Sequence, residues 1–402
     1  MELFLLEHKK LWRKRSVKIS VVICFIYIVV FGSILSFQWF SFGSSDDYTS
    51  AFGNNFDGYS AIRNRQEYAG AVEKLTDTTL QQLVRDYQRM EAADMETELE
   101  KTDWKIINSW LGTLYPELRD SNQYKTMISY VDPEKLTDIY DRRQQAIVDF
   151  LDNSGQTGEE KEYLLQMEEN VEKPFRYEWV EGWSTLLGSV IADMGIVMAL
   201  FLSIILSPLF AGEWHDNMGA LALTTKNGWN KLAFAKILTG FAFAVEFFVM
   251  LACPAVIAQI FFMGFSGWDM PIQNIKLIAI APMNMIQAEI YEYAFTLFGV
   301  IGFAGVVMFI SASLKNNIPA LLLSLAVVYG PAVVTEYLPY ELQKILDFIP
   351  LVGSAMDIFR TNTFHFLGTY VWSPYLLIFV PMLIGGLCVP FAILNWSRRP
   401  RV

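Results

Sequence analysis

Cysteine is scarce, and what there is cannot crosslink anything polar. The chain has 3 cysteines in 402 residues. Cys24, Cys253 and Cys388 each sit inside an apolar run, and none falls in the one long acidic stretch. That excludes a disulfide framework and a CxxC metal site, and leaves buried thiols acting as small apolar side chains. The histidines His8, His215 and His365 are scattered, and no HExxH occurs. No GxxxxGK[ST] is present, so no phosphate-cradling loop is encoded. No GxSxG elbow is present either. Charge is thin, at 18% of residues against 53% hydrophobic, which excludes an ordinary soluble globular protein. No basic aromatic patch points to nucleic acid as a partner.

The charge that is present is divided unevenly. Ser44 to Glu181 carries 29 acidic and 15 basic residues, a net of −14, while the rest of the chain nets +3. The acidity belongs to one insert, residues 43–183. Asp132-Pro133-Glu134 supplies a cap, a first-turn proline and an acidic residue, predicting a helix that continues through Leu151. Further helices are predicted over Tyr68–Met90 and Glu159–Val171, with Trp104, Ile107, Trp110, Leu111 and Leu114 as apolar anchors. No strand alternation stands out. The charge run Glu91–Asp103 reads as a solvated helix face, or as an acidic surface that attracts a cationic ligand.

Outside the insert the chain reads as membrane segments. Met1–Arg15 alternates leucines and Trp12 with His8, Lys9, Lys10, Arg13, Lys14 and Arg15. That is either a basic amphipathic helix for an anionic lipid surface or a plain positive flank. Val17–Phe40 is too long for a signal-peptide core, which runs only about 7–15 residues, and is read as an uncleaved first span. Five more spans are predicted at about 186–210, 232–265, 291–314, 318–334 and 375–394, each on the length a bilayer requires. Tyr337–Trp372 is amphipathic and too charged to span, so it reads as an outer or re-entrant helix. Lys and Arg near the span ends place both termini and Lys226, Lys231, Lys236 and Lys315 in the cytoplasm. The fold class expected is therefore an all-α polytopic membrane protein of six transmembrane helices. It divides into residues 1–42 (amphipathic helix and span 1), a mainly helical extracytoplasmic domain at 43–183, and residues 184–402 (spans 2–6).

Two carboxylates fall inside spans, where each is costly and suggests function. Asp193 either lines a substrate path or reaches interfacial water. Glu246 either lines that path or is protonated and bonded within the bundle. Glu289 and Glu292, at the outer end of the fourth span, read as interfacial.

Between spans 2 and 3, residues 211–231 are too short to span and too apolar for a free loop, which suits a short helix at the membrane surface. Gly212 and Asn227-Gly228 free the backbone at its edges. The pattern Phe210-x-x-Glu213, Leu221-x-Leu223-Thr224 and Lys236-x-Leu238 resembles the segment after the second membrane helix of ABC-2-type transporter permeases; an ordinary interhelical loop is the plainer reading. The resemblance implies a coupling helix docked on a separate cytoplasmic ATPase, with Glu213, Trp214, Leu221, Leu223, Thr224 and Lys236 as the coupling residues. It also implies a second permease chain, equal or related, a lipid environment in a bacterial plasma membrane, and ATP and Mg held by the ATPase rather than by this chain. The expected function is transport without enzymatic activity of its own. Charge and topology lean the substrate toward a peptide or antimicrobial, and the alternative is a membrane-anchored receptor, immunity protein or scaffold.

Overall fold

The computed structural model describes residues 2–35, 59, 62, 72–93, 95, 104–120, 125–156, 158–224, 228–352, 358–366 and 368–397. Among the described residues, five helices are long and apolar enough to cross a membrane: Arg15–Leu35, Met194–His215, Asn230–Met263, Met285–Ser313 and Ser373–Ser397. Helix α1 (Glu2–Arg13) precedes α2 (Arg15–Phe25), which continues as a wider-wound turn through Leu35. The membrane-length segments continue with α9 (Ile191–Leu206), α10 (Pro208–His215), α12 (Asn230–Met263) and α13 (Met285–Ser313), the short α11 (Gly219–Thr224) lying between α10 and α12. They end with α16 (Ser373–Leu377) and α17 (Val380–Ser397). The stretch expected as a fifth span is α14 (Asn317–Val334), whose apolar run is shorter and ends at Pro331.

Helix α13 is the central post. Its apolar window is 72% buried inside the protein, against 22% for the last helix. It is surrounded by α9, α10, α12, α14 and α17, and α17 lies closest. A Cβ on Gly302 would lie 2.2 Å from the Pro381 carbonyl oxygen, and one on Gly385 would lie 2.1 Å from the Gly302 carbonyl oxygen. The backbones of α13 and α17 therefore touch, as small residues permit in helix pairs that gain little from apolar burial in lipid.

The insert forms its own core from α3 (Asp77–Ala92), α4 (Trp104–Leu114), α5 (Met127–Tyr130), α6 (Ile139–Asn153) and α7 (Gly158–Glu169), with α8 (Glu181–Thr185) leading back to the bundle. Leu80, Val84, Trp110, Leu111, Ile128 and Leu136 are among its buried residues. Val72 and Tyr177 exchange backbone hydrogen bonds of 2.8 and 2.9 Å, closing the domain at its two ends. Two expectations need correction here. The helix expected from Asp132 is only a tight turn at Pro133–Lys135, and α6 starts at Ile139 after Asp138 turns left-handed (φ 59°). The cap comes from elsewhere: the Asp77 carboxylate of α3 accepts from the backbone N–H groups of Asp138 (2.8 Å) and Ile139 (3.0 Å). The helix expected over Tyr68–Met90 begins at Asp77, because Thr76 caps it by accepting from Thr79 N–H. The Ser44–Tyr59 lead-in and the run Glu91–Asp103 lie largely outside the described residues.

The stretch Tyr337–Trp372 holds α15 (Tyr340–Leu346) and then a β-hairpin, β1 (Thr363–Phe366) with β2 (Thr369–Trp372), turned at Gly368 (φ 85°). The all-α expectation thus misses one hairpin, built from aromatic and β-branched residues that suit a pleated surface. Between α15 and that hairpin, Leu351 packs against Gly299 of α13, so this connection dips into the bundle as a re-entrant segment would.

The insert does not hang free. Arg143 is fully buried and donates to the carbonyl oxygens of Leu277 (2.8 Å) and Ala279 (3.0 Å), and to the carboxylate of Glu168. Its guanidinium also lies 4.9 Å from the Phe175 ring, and Lys173 reaches Glu168 at 2.7 Å. Burial pulls Arg143 below its ordinary pKa, and Glu168 offsets part of that pull. Lys276 donates to the Phe359 carbonyl at 2.9 Å, and Thr363 bonds to Glu160. The insert is bolted to both connections that face it.

Two outcomes follow. Gly385→Leu should force α13 and α17 apart at a cost of about 1–3 kcal/mol or more, seen as a fall in the thermal midpoint of the purified protein. Arg143→Met should leave Glu168 half-neutralised, the Leu277 carbonyl without its guanidinium donor and the Ala279 carbonyl with Gln273 alone, costing about 3–5 kcal/mol. Limited proteolysis should then cut residues 267–284 faster than in the native chain.

Candidate functional site

The α9–α12 connection is built by a chain of local devices. Pro208 takes the first position of α10, where its missing N–H costs nothing. The Ser311 hydroxyl of α13 accepts from the N–H groups of Phe210 (3.0 Å) and Ala211 (3.1 Å) and donates to the Ser207 carbonyl (2.6 Å). Those N–H groups at the start of α10 would otherwise lack partners. Asn217 then turns left-handed at φ 57° and sends the chain into α11.

Three tryptophans hold α11 in place. A Cβ on Gly219 would come within 2.7 Å of the Trp214 ring, so only glycine lets α11 lie against it. Trp214 meets Trp396 edge-on at 5.9 Å, and the Trp396 indole donates to the Gly228 carbonyl at 3.0 Å. Trp229 donates to the Leu223 carbonyl at 2.6 Å, and the Thr224 hydroxyl to that of Leu221 at 2.8 Å. Leu223 is buried and Leu221 is 59% exposed, with Met218 nearby in sequence also exposed. The two leucines of the motif therefore differ in kind: Leu223 holds the fold and Leu221 faces outward.

Lys236 is the electrostatic centre. It is 1% exposed and donates to Glu7 at 2.8 Å and to Glu213 at 2.8 Å. Lys10 donates to the same Glu213 oxygen at 2.7 Å. Burial alone would lower Lys10, but the hydrogen bond and charge of Glu213 outweigh it and leave the amine above its ordinary value. Lys14 moves the other way, through burial and then the nearby ammonium groups of Lys236 and Lys10. A cleft of about 260 Å³ opens here, lined by Lys10, Lys14, Glu213, Asp216, Met218 and Lys236.

The sequence-predicted residues are not all brought together. Glu213, Trp214, Leu223 and Lys236 meet in this one assembly. Glu246 lies along the same helix α12 but turns to α1, accepting from Trp12 Nε1 at 3.0 Å and lying 3.2 Å from His8 Nε2. It is half-exposed, with Trp12 packed on Phe243 beside it. The amphipathic α1 is thus a packed element of the bundle, fixed along α12 by both carboxylates. Asp193 sits in α9, and its side chain lies outside the described residues, as does Lys226. Glu7, Lys10, Ser311 and Trp396 were missed from sequence. Glu7 and Lys10 carry the one available signal, lying one turn apart on a predicted amphipathic helix. Among the described residues no group of three or more His, Cys, Asp or Glu side chains is placed to hold a metal.

Comparison with protein-family models, with curated proteins and with solved structures finds no match to this chain.

Lys236→Met should strand Glu213 with Lys10 alone and leave Glu7 without its ammonium, at a cost of about 3–5 kcal/mol. Limited proteolysis should then release α1 from the bundle, whereas the exposed Lys9→Met should leave the cleavage pattern unchanged.

Proposed function

We propose that this chain is the membrane-embedded permease subunit of an ATP-driven transporter, of the kind its α10–α11 segment resembles in ABC-2-type permeases. The observation that carries the reading is the braced α10–α11 element. It is tied through Glu213 and Lys236 to α12 and α1, through Ser311 to α13 and through Trp396 to α17, while Leu221 and Met218 face outward. A partner pressing on that exposed tip would move four helices at once. With no phosphate-binding loop in the chain, the ATPase is a separate cytoplasmic subunit that holds ATP and Mg, and a second permease chain completes the pathway.

In this arrangement α14 also crosses, as the fifth span in chain order, bringing the count to six with both termini in the cytoplasm. The acidic insert then lies outside a bacterial plasma membrane. Its net charge of −14 over Ser44–Glu181 favours a cationic substrate such as an antimicrobial peptide. Because Glu246 is engaged by α1, it serves the bracing of α1 rather than the substrate path. Transport requires that the substrate bind the two states of the bundle differently, and the bolted insert is placed to follow the outer connections as they move.

The test is co-purification in mild detergent with the products of neighbouring genes. A nucleotide-binding subunit should accompany the native chain and be lost with Leu221→Asp, while the thermal midpoint shifts by no more than about 0.5 kcal/mol equivalent, as for an exposed site. If no nucleotide-binding subunit accompanies the native chain, the permease reading fails.

A further inference from the structure

The carboxylates described above that are buried or largely buried have cationic partners: Glu168 has Arg143 and Lys173, and Glu213 has Lys236 and Lys10. Glu289 and Glu292 break that pattern. They lie one turn apart on α13, near the end that meets the insert, and are 4% and 0% exposed. All four of their carboxylate oxygens are enclosed, and none has a hydrogen-bond partner among the described residues. The Tyr293 hydroxyl is enclosed and unbonded as well, on the residue next to Glu292 and one turn on from Glu289. Among the described residues no Lys, Arg or His is bonded to either carboxylate, and the other titratable group near Tyr293 is Cys253 of α12.

Side chains three apart on a helix are neighbours, with Cβ atoms about 5–6 Å apart. Two carboxylates at that spacing, shut away from water, are strongly unfavourable as a bare pair. An apolar or amide pair would fill the same space without that cost. Intramembrane ionisable residues of this kind mark functional sites. What the two residues offer, with the phenol, is five oxygen donors and a formal charge of −2 with no cation paired to either carboxylate among the described residues. That donor set suits a hard cation. A calcium-class ion takes roughly 6–8 oxygens in flexible geometry, whereas magnesium demands a strict octahedron and keeps several waters, which an enclosed site disfavours.

We propose that Glu289, Glu292 and the Tyr293 hydroxyl form an occluded binding site for a calcium-class divalent cation, which neutralises the pair and ties the head of α13. The site does not rest on the permease reading. Lys236 and Cys253 are both on α12, 17 residues apart, so about 25 Å of helix separates the two regions.

The experiment uses the full chain in lipid nanodiscs, stripped with a chelator and then titrated with calcium, magnesium or sodium while the thermal midpoint is followed. Calcium should raise the midpoint saturably by several degrees in the native chain. Glu289→Gln/Glu292→Gln should abolish the rise, and Tyr293→Phe, which keeps both carboxylates, should weaken the apparent affinity several-fold. If the double variant fails to fold, Glu289→Gln and Tyr293→Phe carry the comparison. An equal calcium response in native and variant chains would overturn the proposal, placing the ion elsewhere, for instance on the acidic insert. So would a response to sodium alone, or a midpoint that rises on acidification and ignores every metal, since the pair would then be held neutral by protons.

Discussion

A buried ammonium group has to be neutralised where it sits, and much of one end of this protein follows from that requirement at Lys236. The side chain is 1% exposed, so its charge cannot be left to solvent. Glu213 answers from α10 and Glu7 from α1, each at 2.8 Å. Those two bonds set the depth of α10 against α12 and draw α1 onto the flank of α12. Once α1 lies there, His8 and Trp12 meet Glu246 and Lys10 meets Glu213. The amphipathic helix is therefore held by directional bonds at two levels, in addition to whatever lipid surface it touches.

Arg143 imposes the same kind of constraint between the insert and the bundle. Its guanidinium uses its planar fork of donors on two carbonyls and a carboxylate, which a lysine could not reproduce. Apolar burial supplies most of the cohesion of the insert core but is non-directional, and between helices in lipid it gains little. The register of the insert against residues 277–279, and of α1 against α12, comes from these two cation-centred clusters. Between them the bundle is packed backbone to backbone at Gly302 and Gly385, leaving little room for one helix to slide without its neighbour. The α10–α11 element is tied to α12 at Lys236, to α13 at Ser311 and to α17 at Trp396.

The acid pair on α13 stands apart because it obeys neither pattern. Glu168 and Glu213 are buried with cations and explain themselves as fasteners. Glu289 and Glu292 are buried with none, in a chain that elsewhere neutralises such groups with care, and their chemistry points outward to something the protein binds.

Hydropathy is a local quantity, and what it determines was legible from the residues alone. The apolar runs became helices close to their expected limits, the acidic insert became a helical domain with its own core, and the short greasy connection around Leu221 became a helix. Thr76 was a local cap, yet the start of α6 was not legible at Asp132, because its cap is Asp77, some 60 residues away. The hairpin at 363–372 was likewise hidden, its short runs being equally compatible with an amphipathic helix. Charge pairing is the part only tertiary structure could decide. Lys236 and Glu7 are separated by 229 residues, and Trp12 and Glu246 by 234, and nothing in either segment announces the other. The sequence placed Glu246 inside a span and Glu289 and Glu292 at an interface by counting along a helix. Whether a side chain at a given height faces lipid, a partner or an enclosed core depends on which neighbour packs against that face, and that choice is made by the whole bundle.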